Sequence, residues 1–181
     1  MDCRLEENSR RYDVLRALAK GYGTGDFSEL FPFLAKDCVL ESQWVLTPNT
    51  GYDAVVSYLT GKGRTLVKYE CLADCSIVEL IDNCRPVKMP KVIVNGEAPK
   101  EAFVGLMYTP GTLCLLMKQT LDGETNSVLV DVSIDDEGMV KRIDLCMPEL
   151  FRFRPFDANV RFNPATADGK DDGQVTEVRN G

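Results

Sequence analysis

The stretch that decides the fold is Gly25 to Leu59, GDFSELFPFLAKDCVLESQWVLTPNTGYDAVVSYL. Asp26 with Glu29 three residues later resembles a capping box, and Phe27, Leu30, Phe31 and Leu34 share one helical face. Pro32 removes a backbone donor, so this helix is expected to be one or two turns with a kink. Cys38 to Val45 then reads as a strand. Cys38, Leu40, Ser42 and Trp44 take one side, and Val39, Glu41 and Gln43 the other. Thr50 can cap a second helix in which Tyr52, Val55, Val56 and Leu59 follow helical spacing. Gly61 and Gly63 are expected to end it.

Upstream, Leu5 to Lys20 reads as a helix with Tyr12, Leu15, Ala19 and Tyr22 at seam-like spacing, widened by Val14 and Leu18. Gly21, Gly23 and Gly25 are expected to stop it. Downstream the chain turns to strands: Tyr69 to Ile81, Lys91 to Asn95, Ala102 to Tyr108, Thr112 to Leu121, Ser127 to Ile134 and Met139 to Met147. Turn signals at Asn95-Gly96, Pro110-Gly111, Asp122-Gly123 and Asp135 to Gly138 separate them, and the last three strands read as a meander. Helices first and strands later predict an α+β fold, with N-terminal helices packed on a curved, mostly antiparallel sheet.

The 181 residues fit one domain, expected over 1–156, with a polar, Gly- and Asp-rich tail over 157–181 read as mobile. The aromatic FRFRPF before that tail either closes one end of the fold or meets a partner. A net charge of −7 argues against sequence-independent nucleic-acid binding, which rests on Lys and Arg meeting phosphates. No apolar run reaches the roughly 20 residues that span a bilayer. A charged N-terminus without an apolar signal region fits a cytoplasmic protein.

The chain has no histidine. That removes Ser-His-Asp and Cys-His nucleophilic systems, the H-E-x-x-H zinc site and the two-histidine iron site. Any acid–base work falls to Asp, Glu, Tyr, Lys or Cys. Most of the seven cysteines sit in apolar, strand-like runs, and they read as reduced core residues. Cys71 and Cys75 have no second pair to complete a zinc set, so no metal or cofactor is expected.

The G-D before the second helix, the strand LAKDCVLES and the late DDEG turn together resemble the nuclear transport factor 2-like superfamily. The likeness covers about Leu5 to Met147 without the stretch from Arg85 to Glu101, and LESQWV with a following LTGK is similar to a bacterial subgroup of it. The resemblance implies a cystatin-like cone with an apolar pocket, often in a homodimer formed through the open sheet face. It also implies SnoaL-like or ketosteroid-isomerase-like relatives, hence isomerase, cyclase or lyase activity as one option. Aligned on those matches, the ketosteroid isomerase tyrosine falls on Leu18, its catalytic aspartate on Ser42 and its oxyanion-hole aspartic acid on Val130. None of the three residue types is kept, which argues against that chemistry.

The same resemblance implies a pocket wall of Leu18 and Tyr22 from the first helix, and Ser42 and Trp44 from the first strand. Leu113, Leu115 and Met117, with Val128, Val130 and Val132, would come from the central hairpin. Such a wall suits a small apolar or aromatic ligand. It equally suits a cone filled by its own side chains, the mark of a non-catalytic interaction module. Trp44 could stack on a ligand or seal the mouth. Glu41, Gln43, Asp131 and Asp144 alternate to the opposite face, where solvation or pairing is expected.

Overall fold

The computed structural model describes residues 3–42, 44, 47–81, 87–89, 102–104, 111–121, 123–157 and 160. Two helices, α1 (Cys3–Thr24) and α2 (Tyr52–Lys68), lie on a seven-stranded sheet. Its strands are β1 (Leu34–Ser42), β2 (Asn49–Thr50), β3 (Asp74–Leu80), β6 (Leu113–Leu121), β7 (Glu124–Ile134), β8 (Val140–Cys146) and β9 (Phe153–Asp157). They run in the order β2-β1-β8-β7-β6-β3-β9, and among the described residues only the β1–β8 pairing is parallel. A separate ribbon joins β4 (Val87–Met89) to β5 (Ala102–Val104). The expected α+β architecture is therefore the observed one. The expected strand Lys91 to Asn95, its Asn95-Gly96 turn and the chain between 105 and 110 lie outside the described residues.

The meander is explained by period-2 patterning. β6, β7 and β8 pair in register, with Leu115 beside Val130 and Val132 beside Ile143. Their inward residues form one core with Leu15, Leu18 and Tyr22 of α1 and Val55, Leu59 and Leu66 of α2. A smaller cluster, Val78, Leu80, Cys114, Leu129 and Cys146, occupies the opposite face.

Three boundaries differ from the sequence reading. The helix expected from Asp26 is a turn and a short 3-10 segment at Phe31–Phe33, and Leu34 already belongs to β1. Asp26 accepts the Ser28 backbone N–H at 2.9 Å, and Glu29 pairs instead with Lys20. Secondly, α2 does not stop at Gly61 or Gly63 but runs on to Lys68. A Cβ on Gly63 would stand 2.0 Å from the Gly25 carbonyl oxygen, so glycine there serves close packing of α2 on the end of α1. Gly25, at φ +82°, ends α1 after Gly21 and Gly23 have passed within it. Thirdly, the expected tail boundary falls inside a strand: Asp157 closes β9, and Val160 is buried in the main core. Residues 161–181 lie outside the described residues.

Three successive residues of α1 fasten it to the sheet. Arg10 donates to the Gly138 carbonyl in the β7–β8 turn at 2.9 Å and lies over the Phe33 ring. Arg11 donates to Asp131 at 2.9 Å and to the Leu113 carbonyl at 3.3 Å. Tyr12 donates its O–H to Asp157.

Candidate functional site

The interior between the helices and the sheet is built by three elements whose apolar faces converge. α1 supplies Leu18 and, one turn later, Tyr22; β1 supplies Cys38, Leu40 and Ser42; β6 and β7 supply Leu115, Met117 and Val130. Leu18, Tyr22, Leu115, Met117 and Val130 belong to a single buried cluster. Ser42 is buried too, and Trp44, in a turn just past the end of β1, packs half-buried against that cluster. The Trp44 backbone N–H donates to Ser42 Oγ at 3.3 Å, which fixes the serine and leaves its own proton free to donate.

Tyr22 is the exceptional group. Its ring meets Phe27 edge-to-face, with centroids 5.0 Å apart, and Phe27 in turn lies on Gly21, where any Cβ would collide with the ring. The Tyr22 carbonyl accepts the Ala73 N–H at 2.9 Å, locking the end of α1 to the approach to β3. The side chain is 1% exposed, yet its hydroxyl has no hydrogen-bond partner among the described residues. Burial pushes its pKa far up, with Tyr58 and Cys75 nearby adding to the shift. A buried hydroxyl without a partner costs about 1–3 kcal/mol, so such groups are rare in folded proteins.

Tyr58 of α2 was not singled out in the sequence reading, and Cys75 of β3 was read there only as a reduced core cysteine. Cys75 is paired with Met117 across β3–β6, and burial pushes its thiol up to about 12. Burial likewise raises Tyr58. Tyr58 lies inside the helix that was read, three residues after Val55 and next to Leu59, so the spacing signal for it was present. Tyr22, Tyr58 and Cys75 therefore hold their protons at neutral pH. Among the described residues no group of three or more Cys, Asp or Glu side chains is placed to hold a metal.

The opposite face carries the carboxylates. Asp131 and Asp144 are 6% and 2% exposed, so the solvated alternative is corrected; both are ion-paired. Arg142 forks onto Asp144, its Nε reaching the two carboxylate oxygens at 3.0 and 2.9 Å, and also pairs with Glu41. Alternation alone gives the face of these residues but not what covers them. Gln43 lies outside the described residues.

Away from that interior, a concavity of about 670 Å³ opens between Phe31, Leu34, Tyr52 and Met139, with Lys36, Asp37, Asp135, Glu137 and Lys141 around it. Lys141 is already paired with Asp37, and Asp135 Oδ1 accepts the backbone N–H groups of Glu137 and Met139. Asp135 thus serves the local turn, and the Lys141–Asp37 pair ties β8 to β1.

No protein-family model and no curated protein matches the chain. Among solved structures, a steroid delta-isomerase from Pseudomonas aeruginosa is similar over 82% of this chain and 82% of its own, at 12% identity and a TM-score of 0.44. Delta 5-3-ketosteroid isomerase from Mycobacterium sp. is similar over 80% of this chain and 98% of its own, at 11% identity and 0.43. An uncharacterized bacterial protein with a cystatin-like fold from Silicibacter pomeroyi is similar over 77% and 74%, at 13% identity and 0.41. Likeness at this depth carries no argument about activity.

Proposed function

We propose that the chain binds a small, uncharged, largely apolar or aromatic molecule between its helices and the inner sheet face, with a polar atom of that molecule meeting the Tyr22 hydroxyl. The observation that carries this reading is the orphaned, fully buried hydroxyl in an otherwise apolar interior. Aliphatic walls with one or two convergent polar groups are the usual make-up of a small-molecule site. The polar groups described there are protonated donors: Tyr22, the Ser42 hydroxyl and the Cys75 thiol. They favour a hydrogen-bond acceptor over an acid or an amine, for which no counter-charge is at hand.

Binding is proposed rather than isomerase, cyclase or lyase turnover. A general base needs a pKa near the working pH, and burial moves Tyr22, Tyr58 and Cys75 up and away from it. The second reading, an interaction module with a filled interior, is favoured by the complete burial of Leu18, Leu115 and Val130 against one another. A second copy docked on the opposite sheet face, where Leu116, Phe151 and Phe153 are half-buried, belongs with either reading and is checked by the mass in solution.

Trp44 is the only tryptophan, so its emission reports on the interior directly. Titration with 2-acetonaphthone, a planar neutral ketone, is expected to change Trp44 emission saturably. Tyr22→Phe is expected to weaken that binding about tenfold, the worth of one hydrogen bond. Unchanged emission and no heat in calorimetry across a panel of neutral aromatic ketones and phenols would instead establish the filled interior.

A further inference from the structure

The buried charges on the opposite sheet face form a continuous row. Asp131 of β7 stands directly beside Asp144 of β8, and Asp144 directly beside Glu41 of β1. Arg11 reaches one end of this row from α1, and Arg142 bridges Asp144 and Glu41 at the other. From β6, Cys114 Sγ lies 3.6 Å from the same Asp131 oxygen that Arg11 holds. From β8, Cys146 lies close enough to Cys114 to affect its thiol, and Glu149, in the turn packed on β7, is exposed. Two carboxylates thus face each other across neighbouring strands, almost out of water, with a guanidinium from a different element at the Asp131 end.

Like charges in that position cannot both ionise freely, and such a pair titrates as a unit. Arg142 offsets part of the Asp144 charge, and for what remains on the pair a proton and the Arg11 guanidinium compete. We propose that the Asp131–Asp144 pair is a proton switch on α1: with both carboxylates ionised it grips Arg11, and on taking up a proton it loosens that grip. The helix so held carries Leu18 and Tyr22 seven and eleven residues after Arg11, on the same helical stripe. Loosening the first turns of α1 therefore acts on the helix that covers the interior. Burial raises both carboxyls, Asp144 to about 6, which brings the competition into a mildly acidic range.

Competition is reciprocal, so it is tested from both sides. The side-chain carboxyl carbons of the intact chain, labelled at aspartate with carbon-13, are followed by NMR from about pH 4 to about pH 8. Hydrogen exchange of the α1 amides around Arg11 is compared at about pH 5 and about pH 7.5, corrected for intrinsic rates. The expected result is a half-point for Asp144 near 6 and α1 protection about fivefold lower at the acid pH. Arg11→Gln should move the pair's titration upward, because it removes the cation that competes with the proton. Asp144→Asn, carrying the charge of the protonated form at every pH, should leave α1 protection at its acid level throughout. Asp144 titrating at its ordinary 3.8, a titration indifferent to Arg11→Gln, or equal α1 protection at both pH values in the wild type would each overturn the proposal. The wild-type titration needs no variant to fold.

Discussion

Val130 and Asp131 are neighbours on one strand and live in different chemistries. Val130 faces an interior whose described polar groups are neutral and one of which, the Tyr22 hydroxyl, is left without a partner. Asp131 faces a row of charges in which every named group is matched to another. A sheet one residue thick separates the two. The satisfied face holds the fold's position, and the unsatisfied face is where a further molecule has something to gain.

The sharpest way to break this contrast is Asp131→Ala. It strands the Arg11 guanidinium in a buried setting and is expected to cost about 4 kcal/mol, read from urea denaturation. On the other face, Leu115→Ala removes only packing and should cost about 3 kcal/mol in the same measurement. A smaller value for Asp131→Ala than for Leu115→Ala would mean the charged row is ornament and the apolar face does the holding.

The next effect is a dependence on pH. Asp144 is pushed up to about 6 from 3.8, chiefly by burial, so between those values the folded chain keeps a proton that the unfolded chain has released. Its contribution to stability is fully present below 3.8 and is lost as the pH rises through about 6. Other carboxylates slope the opposite way, so the wild type is compared with Asp144→Asn. The difference in stability should change by on the order of 2 kcal/mol across the window and be flat above it. Global unfolding reads the burial of Asp144, whereas α1 protection reads the contest for Arg11, and the two respond to acid in opposite directions.

The smallest effect carries the opposite sign. Tyr22→Phe removes a hydroxyl that the folded chain cannot satisfy, and it should stabilise the ligand-free protein by about 1 kcal/mol in thermal denaturation. Destabilisation of that size would show that the hydroxyl has a partner after all, and with it the case for a ligand there would fall.

Much of this contrast was legible in the sequence, because period-2 alternation assigns faces. Alternation set Asp131 and Asp144 on the face away from their apolar neighbours, while the family resemblance turned Leu115, Met117, Val130 and Val132 inward, where they are buried. The charged cover was not legible, since Arg11 lies 120 residues from Asp131 and alternation says nothing of distant partners. The length of α2 was misread for a related reason. Glycine breaks helices by propensity, but Gly63 answers to the backbone of Gly25 across a helix packing contact. The neighbouring Gly61 meets nothing within 4 Å. Tyr22 was in view from its spacing, whereas its want of a partner is a property of everything around it.

The parallel pairing of β1 with β8 has a consequence in time. Leu40 lies beside Ile143, so the first long strand of the sheet has no neighbour on that side until about a hundred residues more have been made. At ordinary synthesis rates that is a wait of roughly 5 to 20 seconds. During it, β1 has β2 on one side but an open edge on the other, and closure of the sheet is the slow, late event that non-local contacts impose. The nascent chain is therefore most exposed to aggregation before β8 emerges, and a truncation just short of Val140 would hold it in that state.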